Sequence, residues 1–121
     1  MITTGKSIYS ILTANASITA LVGTKIYPLV IPEGTTLPCI VYERSYENKY
    51  TKDGLAYSNS TVNITIISDN YKKTIEISEA AFTALNMYRG GNIQSITLDS
   101  GNETYAEGAF IQNLTFDVRS V

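Results

Sequence analysis

The sequence predicts one α+β domain over residues 1–121: an antiparallel β-sheet of about four to five strands, with a long helix and a short N-terminal helical pair packed on one face, plus a projecting β-hairpin. Three observations carry this. Between Thr61 and Ile67, Val62, Ile64 and Ile66 alternate with Thr61, Asn63 and Thr65, the period of a strand with one buried face. From Tyr71 the apolar spacing changes to Ile75, Phe82 and Leu85, with Ser78 and Ala81 on the same side, which is helical. Tight turns join most of the extended stretches, as antiparallel pairing allows.

In chain order, Thr3 or Thr4 is a plausible N-cap for a first helix running to Ala14, with Ile8, Ile11 and Leu12 as its apolar stripe. Asn15 interrupts it. Ser17 to Val22 reads as a second short helical turn with Ile18, Leu21 and Val22 inward and Gly23 as its C-cap. Lys25 to Ile31 is short and extended, and Pro28 makes it an edge strand or an irregular arm. A loop over Pro32 to Leu37 leads through Pro38 into a strand from Cys39 to about Tyr50, expected to pair with the strand centred on Ile64. Asp53-Gly54 signals the hairpin turn between them. Ser68, Asp69 and Asn70 can cap the long helix, and Gly90 and Gly91 end it, with Arg89 in its last turn. Two strands follow, Asn92 to Asp99 and Ala109 to Val118, turning at Ser100-Gly101-Asn102. Ile96 and Leu98 face inward on the first. Phe110, Leu114, Phe116 and Val118 share one face of the second.

Composition excludes several classes. A chain of 121 residues buries roughly two thirds of its unfolded surface in one core. Charged residues are 17% of the total, against about 25% in ordinary domains, a balance compatible with surface covered by partners. A net charge of −2 leaves no electrostatic footprint for nucleic acid. No apolar run approaches the roughly 18 residues that span a bilayer, and the N-terminus lacks the apolar core of a signal peptide. Five Asn-x-Ser/Thr triplets, at Asn15, Asn59, Asn63, Asn102 and Asn113, are read as Asn- and Thr-rich composition rather than glycosylation sites.

The search for chemistry is mostly negative. The chain has no His, so Ser-His and Cys-His nucleophile pairs and His-containing metal sites are impossible. The single Cys39, between Pro38 and Ile40 at a strand start, reads as a buried inert thiol. Gly5-Lys6-Ser7 resembles the end of a phosphate-binding loop but has only four residues before it. Asp99 and Glu103 resemble a calcium loop, yet Phe110 stands where the twelfth-position carboxylate is required. Glu76 and Glu79, with Lys72 and Lys73 nearby, are expected to form a solvated, salt-bridged helix face rather than an acid/base pair. No catalytic, cofactor-binding or metal residue is expected.

Surface character is more informative. Nine tyrosines and no tryptophan stand in the chain. Several gather around the expected hairpin, about Tyr46 to Asn59. Tyrosine is enriched in protein interfaces, so the candidate subunit or partner contact is Tyr46, Lys49, Tyr50, Lys52, Asp53 and Tyr57. The charges there have mixed signs, which suits a self-complementary contact better than a polyanion.

Tyr27-Pro28, then Leu37-Pro38 leading into a strand, then a strand followed by Ser68-Asp69-Asn70-Tyr71 and a helix, occur in an order that resembles the tail completion proteins of long-tailed bacteriophages. The resemblance covers nearly the whole chain and rests on the order of individually weak motifs. It implies a structural, non-enzymatic subunit of a free phage or a prophage, without cofactors, assembled in the bacterial host cytoplasm and resident in the virion tail. It implies a homo-oligomeric ring, a hexamer, at the head-proximal end of the tail tube. Its partners would be copies of itself, the tail tube protein and a head-completion or connector protein, with no membrane and no specific nucleic-acid contact. Two alternatives belong to other classes: a tail tube or other minor tail protein, and a small ligand-binding α+β domain.

Overall fold

The computed structural model describes residues 4–120, the side chains at positions 4, 55 and 56 excepted. Three helices and five strands follow in the order α1 (Thr4–Ala14), α2 (Ala16–Val22), β1 (Ile26–Pro28), β2 (Cys39–Thr51), β3 (Gly54–Ser68), α3 (Tyr71–Leu85), β4 (Ile93–Ala106) and β5 (Ala109–Ser120). The strands form one sheet in the order β1-β2-β3-β5-β4. The α+β class and the helical pair are as expected, but the sheet is mixed. β1 runs parallel to β2, with Tyr27 opposite Val41, because the ten-residue return over 29–38 carries the chain back to its starting end. All other pairs are antiparallel.

Short polar side chains set the helix starts. The Asn15 side chain accepts from the Ile18 N–H at 3.1 Å, opening α2, and Asn70 does the same for α3 through the Lys73 N–H at 3.2 Å. Gly23 caps α2 at its C-terminal end. Of the caps expected for α1, Thr3 lies outside the described residues, and Thr4, whose side chain is not described, is the first residue of the helix.

One core joins the layers. Val62, Ile64 and Ile66 of β3, Phe116 and Val118 of β5 and Ile40 of β2 meet Ile8 and Leu12 of α1, Ile18 and Val22 of α2, and Ile77, Ala81 and Leu85 of α3. The phase of α3 differs from expectation. Its buried residues are Thr74, Ile77, Ser78, Ala81 and Leu85, while Ile75 and Phe82 stay 37% and 38% exposed. The apolar arc of this helix is wider than its buried face, so sequence spacing alone misplaces the centre by about 50° around the helix axis.

Two boundaries also move. α3 ends at Leu85, not near Gly90, and Arg89 is outside it. The Asn86 side chain accepts from the Leu98 N–H at 3.0 Å, and the Met87 N–H donates to the Ile96 carbonyl at 2.7 Å, so β4 captures the chain and stops the helix. Ser100-Gly101-Asn102 is not a turn but the interior of β4, beside an irregularity between Leu98 and Ser100. A Cβ at Gly101 would stand 3.1 Å from the Asn113 carbonyl, a crowded contact that glycine avoids where the strands pass this closely. The turn falls at Glu107-Gly108, both in the left-handed region (φ 53° and 78°), the type I′ geometry that matches the twist of a hairpin.

The helices leave the other face of the sheet uncovered. There Thr65 donates to Asn113 and Thr115 donates to Asn63, each at 2.8 Å, and Asn113 donates to Asn102 at 3.0 Å. Part of the Asn- and Thr-rich composition is this cross-strand lattice of amides and hydroxyls.

Candidate functional site

Among the described residues, no group of three or more His, Cys, Asp or Glu could hold a metal ion. No helix is long and apolar enough to cross a membrane. Cys39 is fully buried, and burial pushes its thiol above the ordinary value, opposed in part by the Lys25 charge. Glu76 and Glu79 are exposed as expected, but they do not pair with Lys72 or Lys73; the ion pair among the described residues is Lys49–Glu47, at 3.0 Å.

The two edges of the sheet are unlike. β1 is only three residues long and pairs with Ile40, Val41 and Tyr42, so β2 has no outer partner strand from Glu43 to Thr51. At the opposite edge β4 is held by Asn86 and Met87 near Ile96 and Leu98, and runs on to Ala106 with no further strand beside it. Unpaired strand edges are templates for another chain unless they are blunted. Both edges carry charge that blunts them, Glu43, Glu47 and Lys49 on β2 and Asp99 and Glu103 on β4.

The six residues expected at the interface sit at the far end of the β2–β3 hairpin. Lys52 and Asp53 form its turn, and the Asp53 N–H donates to the Thr51 hydroxyl at 3.3 Å. Most of the stretch 46–59 is not a free arm. β5 pairs with β3 up to Ser58, and Ser58 and Ser60 are buried, so only the tip reaches past β5. The ladder separates the six. Tyr46, opposite Ser60, lies on the helix-bearing face with the Arg44 guanidinium 4.8 Å from its ring centroid. Tyr50, 69% exposed, follows it beyond the irregularity between Lys49 and Tyr50. Lys49 and Tyr57 are opposite each other on the uncovered face, where Arg119 stands 4.4 Å over the Tyr57 ring and a hydrogen bond to Glu47 raises the Lys49 pKa.

Two apolar patches escaped the sequence reading. The first is a knob after β1. Leu29 and Val30 are 69% and 72% exposed, and Ile31 follows them at the surface. Leu29 sits in the left-handed region (φ 66°), held by its N–H to the Tyr42 carbonyl at 2.9 Å. A non-glycine residue there is uncommon and strained, so the fold constrains this bend. The signal in the sequence is three apolar residues in a row between Pro28 and Pro32, in a stretch too short and too proline-bound to bury them in a regular strand.

The second patch lies along the side of α3 turned away from the helical pair. Ala80 and Ala84 pack toward α1 and α2, so Tyr71, Ile75 and Phe82 overhang the β4–β5 side. Phe110 lies between Tyr71 and Tyr105, with centroids 5.7 and 4.8 Å away in edge-on geometry. A hydrogen bond to the Glu103 carboxylate raises the Tyr71 phenol pKa. Met87 and Leu98 extend the patch along the β4 edge. Of this patch, Ile75, Phe82 and Leu98 are the residues that spacing turns inward, and the structure leaves all three more than a third exposed.

The family model described as "Tail completion protein gp17" matches residues 6–120. The chain belongs to this family. None of the curated proteins matches it. Among solved structures, a chain of the "Virion of native gene transfer agent (GTA) particle" superposes with a TM-score of 0.80 at 20% identity, over 93% of this chain and 90% of that one. At that identity the likeness is one of fold. As a tail completion protein, the chain is a structural protein of the phage virion, located in the tail. The resemblance read from Tyr27-Pro28, Leu37-Pro38 and Ser68-Asp69-Asn70-Tyr71 identified the same family.

Proposed function

We propose that the protein is a tail terminator subunit. Copies close into a hexameric ring that caps the tail tube, stops its growth and presents the surface that joins it to the head. The mechanism is assembly rather than catalysis, and no cofactor takes part. The observation that carries this reading is the pair of unlike sheet edges on one small domain. Unlike surfaces meet head to tail, and such contacts produce a ring when the rotation between neighbours closes. Family membership supplies the setting, the tail. The partners are then further copies, the tail tube protein and a head-completion or connector protein.

The hairpin tip takes part in these contacts through Tyr46, Lys49, Tyr50, Lys52, Asp53 and Tyr57. With aromatic residues on both of its faces, the tip can touch two neighbours at once. Light scattering on the purified protein across a concentration series tests the assembly. Particles several-fold heavier than 13.2 kDa, with rings in negative stain, are expected. Open tubes would instead assign the tube role, and a strict monomer, both alone and with the tube protein, would refute the ring. Replacing 50–55 by a two-residue turn should leave a folded subunit that does not form rings. Normal assembly of that variant would remove the tip from the contact.

A further inference from the structure

We infer that the Leu29-Val30-Ile31 knob of one subunit docks on the Tyr71-Ile75-Phe82 flank of the next, a contact that rests on the ring reading and gives it a residue-level interface. The two patches lie at opposite ends of the strand order. The knob follows β1 at one edge, and the flank overhangs β4 and β5 at the other. A second copy is therefore the occupant whose own surface supplies both halves.

Area supports the match. Leu29 and Val30 at the knob and Met87 and Tyr105 beside the flank are each more than 60% exposed. With Tyr71, Ile75, Phe82 and Leu98, the two patches present on the order of 1,000 Å² of mostly apolar side chain, the low end of what a specific interface buries. Monomers rarely expose contiguous apolar patches of more than a few hundred Å². Anchoring supports it as well. The knob is tied to β2 by the Leu29 N–H on the Tyr42 carbonyl at 2.9 Å, and the turn that follows it is closed by the Thr35 hydroxyl on the Pro32 carbonyl at 2.6 Å. A preorganised segment loses little freedom on docking. At its Tyr71 end the flank opens on a groove of about 240 Å³ lined also by Glu103, Tyr105 and Phe110. Because the patches differ, the contact is heterologous. Each subunit uses its knob on one neighbour and its flank on the other.

The test joins chains across the contact. One protein carries Val30→Cys and a second carries Phe82→Cys; Cys39, fully buried, does not compete. A short bismaleimide added to the mixture should give a dimer containing one chain of each kind, and far less product from either variant alone. Absence of the mixed dimer, or equal cross-linking of Val30→Cys with itself, would overturn the contact. A second pair of variants reads assembly. Val30→Asp and Phe82→Glu should each fold, by circular dichroism, and each raise the concentration for half-assembly by more than about tenfold. Mixed together they should regain one intact contact and form a dimer that cannot close. Wild-type rings unaffected by Val30→Asp would remove the knob and leave the ring reading standing. A mixed cross-link without wild-type rings, alone or on the tail tube, would keep the contact and remove the ring.

Discussion

Two isoleucines on one helix, two residues apart, give a direct measurement of how α3 sits on the sheet. Ile77 is fully buried and Ile75 is 37% exposed. Truncating either to Ala removes three carbon groups, worth about 2.4 kcal/mol if all were buried. At Ile77 the full amount is lost, and a cavity opens in the core between α3 and the sheet. The usual range for such core truncations is about 2–5 kcal/mol. At Ile75 roughly two thirds of that transfer term applies and the site faces solvent, so no cavity forms. Alanine returns about 0.4 kcal/mol of helix propensity in both cases. The expected losses are therefore about 3 kcal/mol for Ile77→Ala and about 1 kcal/mol for Ile75→Ala. For a domain of this size those correspond to melting-point drops of about 10 °C and about 4 °C. Thermal and urea melts at low micromolar concentration are the assay, since association would stabilise the native state and mask the difference. Equal losses, or a larger loss at Ile75, would refute the phase assigned to α3 and, with it, the exposed flank.

Three further outcomes follow from single features. Asn70→Ala removes the acceptor for the Lys73 N–H and should cost about 1 kcal/mol by urea melt, with Asn70→Asp retaining most of it. Glu107→Asn places a residue that tolerates positive φ in the β4–β5 turn and should raise stability by about 0.5 kcal/mol; a drop in melting temperature would refute the I′ geometry. Burial raises the Cys39 and Tyr42 pKa values, so the neutral forms stabilise the fold fully below their ordinary values. Stability should fall as pH rises past 9.0 and on through the raised thiol pKa, and Cys39→Ala should flatten the first part of that decline; an unchanged slope would mean another group governs it.

What was legible in the sequence is what local chemistry decides. Asn70 and Gly23 mark helix ends through bonds made within a few residues of themselves, and Val62, Ile64 and Ile66 announce a buried strand face by alternation alone. The losses came where a distant partner decides. α3 stops at Leu85 because Asn86 and Met87 bond to β4, about ten residues further on, and no local cap signals it. β4 runs through Ser100-Gly101-Asn102 because β5 holds it on one side, overriding a sequence that reads as a turn. β1 is parallel because a ten-residue loop sets its direction, which periodicity cannot report. At the candidate interface, Tyr46 and Tyr50 lie on one face of the hairpin, Lys49 and Tyr57 on the other, and Lys52 and Asp53 in the turn, a division that local sequence does not announce. The knob and the flank were hidden for a different reason. Spacing finds apolar residues but does not distinguish those that fill the chain's own core from those left at its surface.

That ambiguity bears on the low charge of the chain. An ordinary domain covers its outside with Lys, Glu and Asp. Here the middle of the uncovered sheet face carries a neutral lattice built on Asn63, Thr65, Asn113 and Thr115, whose amides and hydroxyls bond to one another across the strands. The exposed apolar area is instead concentrated at the two sheet edges, as the knob and the flank. A single self-complementary patch would lead to a dimer, whereas two unlike patches on opposite edges lead to a chain of subunits. Whether such a chain closes into a ring or continues as a tube depends on the rotation between neighbours, which the shapes of knob and flank would fix. On the proposed contact, the terminator and tube readings differ in one angle, and substitutions at Val30 or Phe82 would act on it directly.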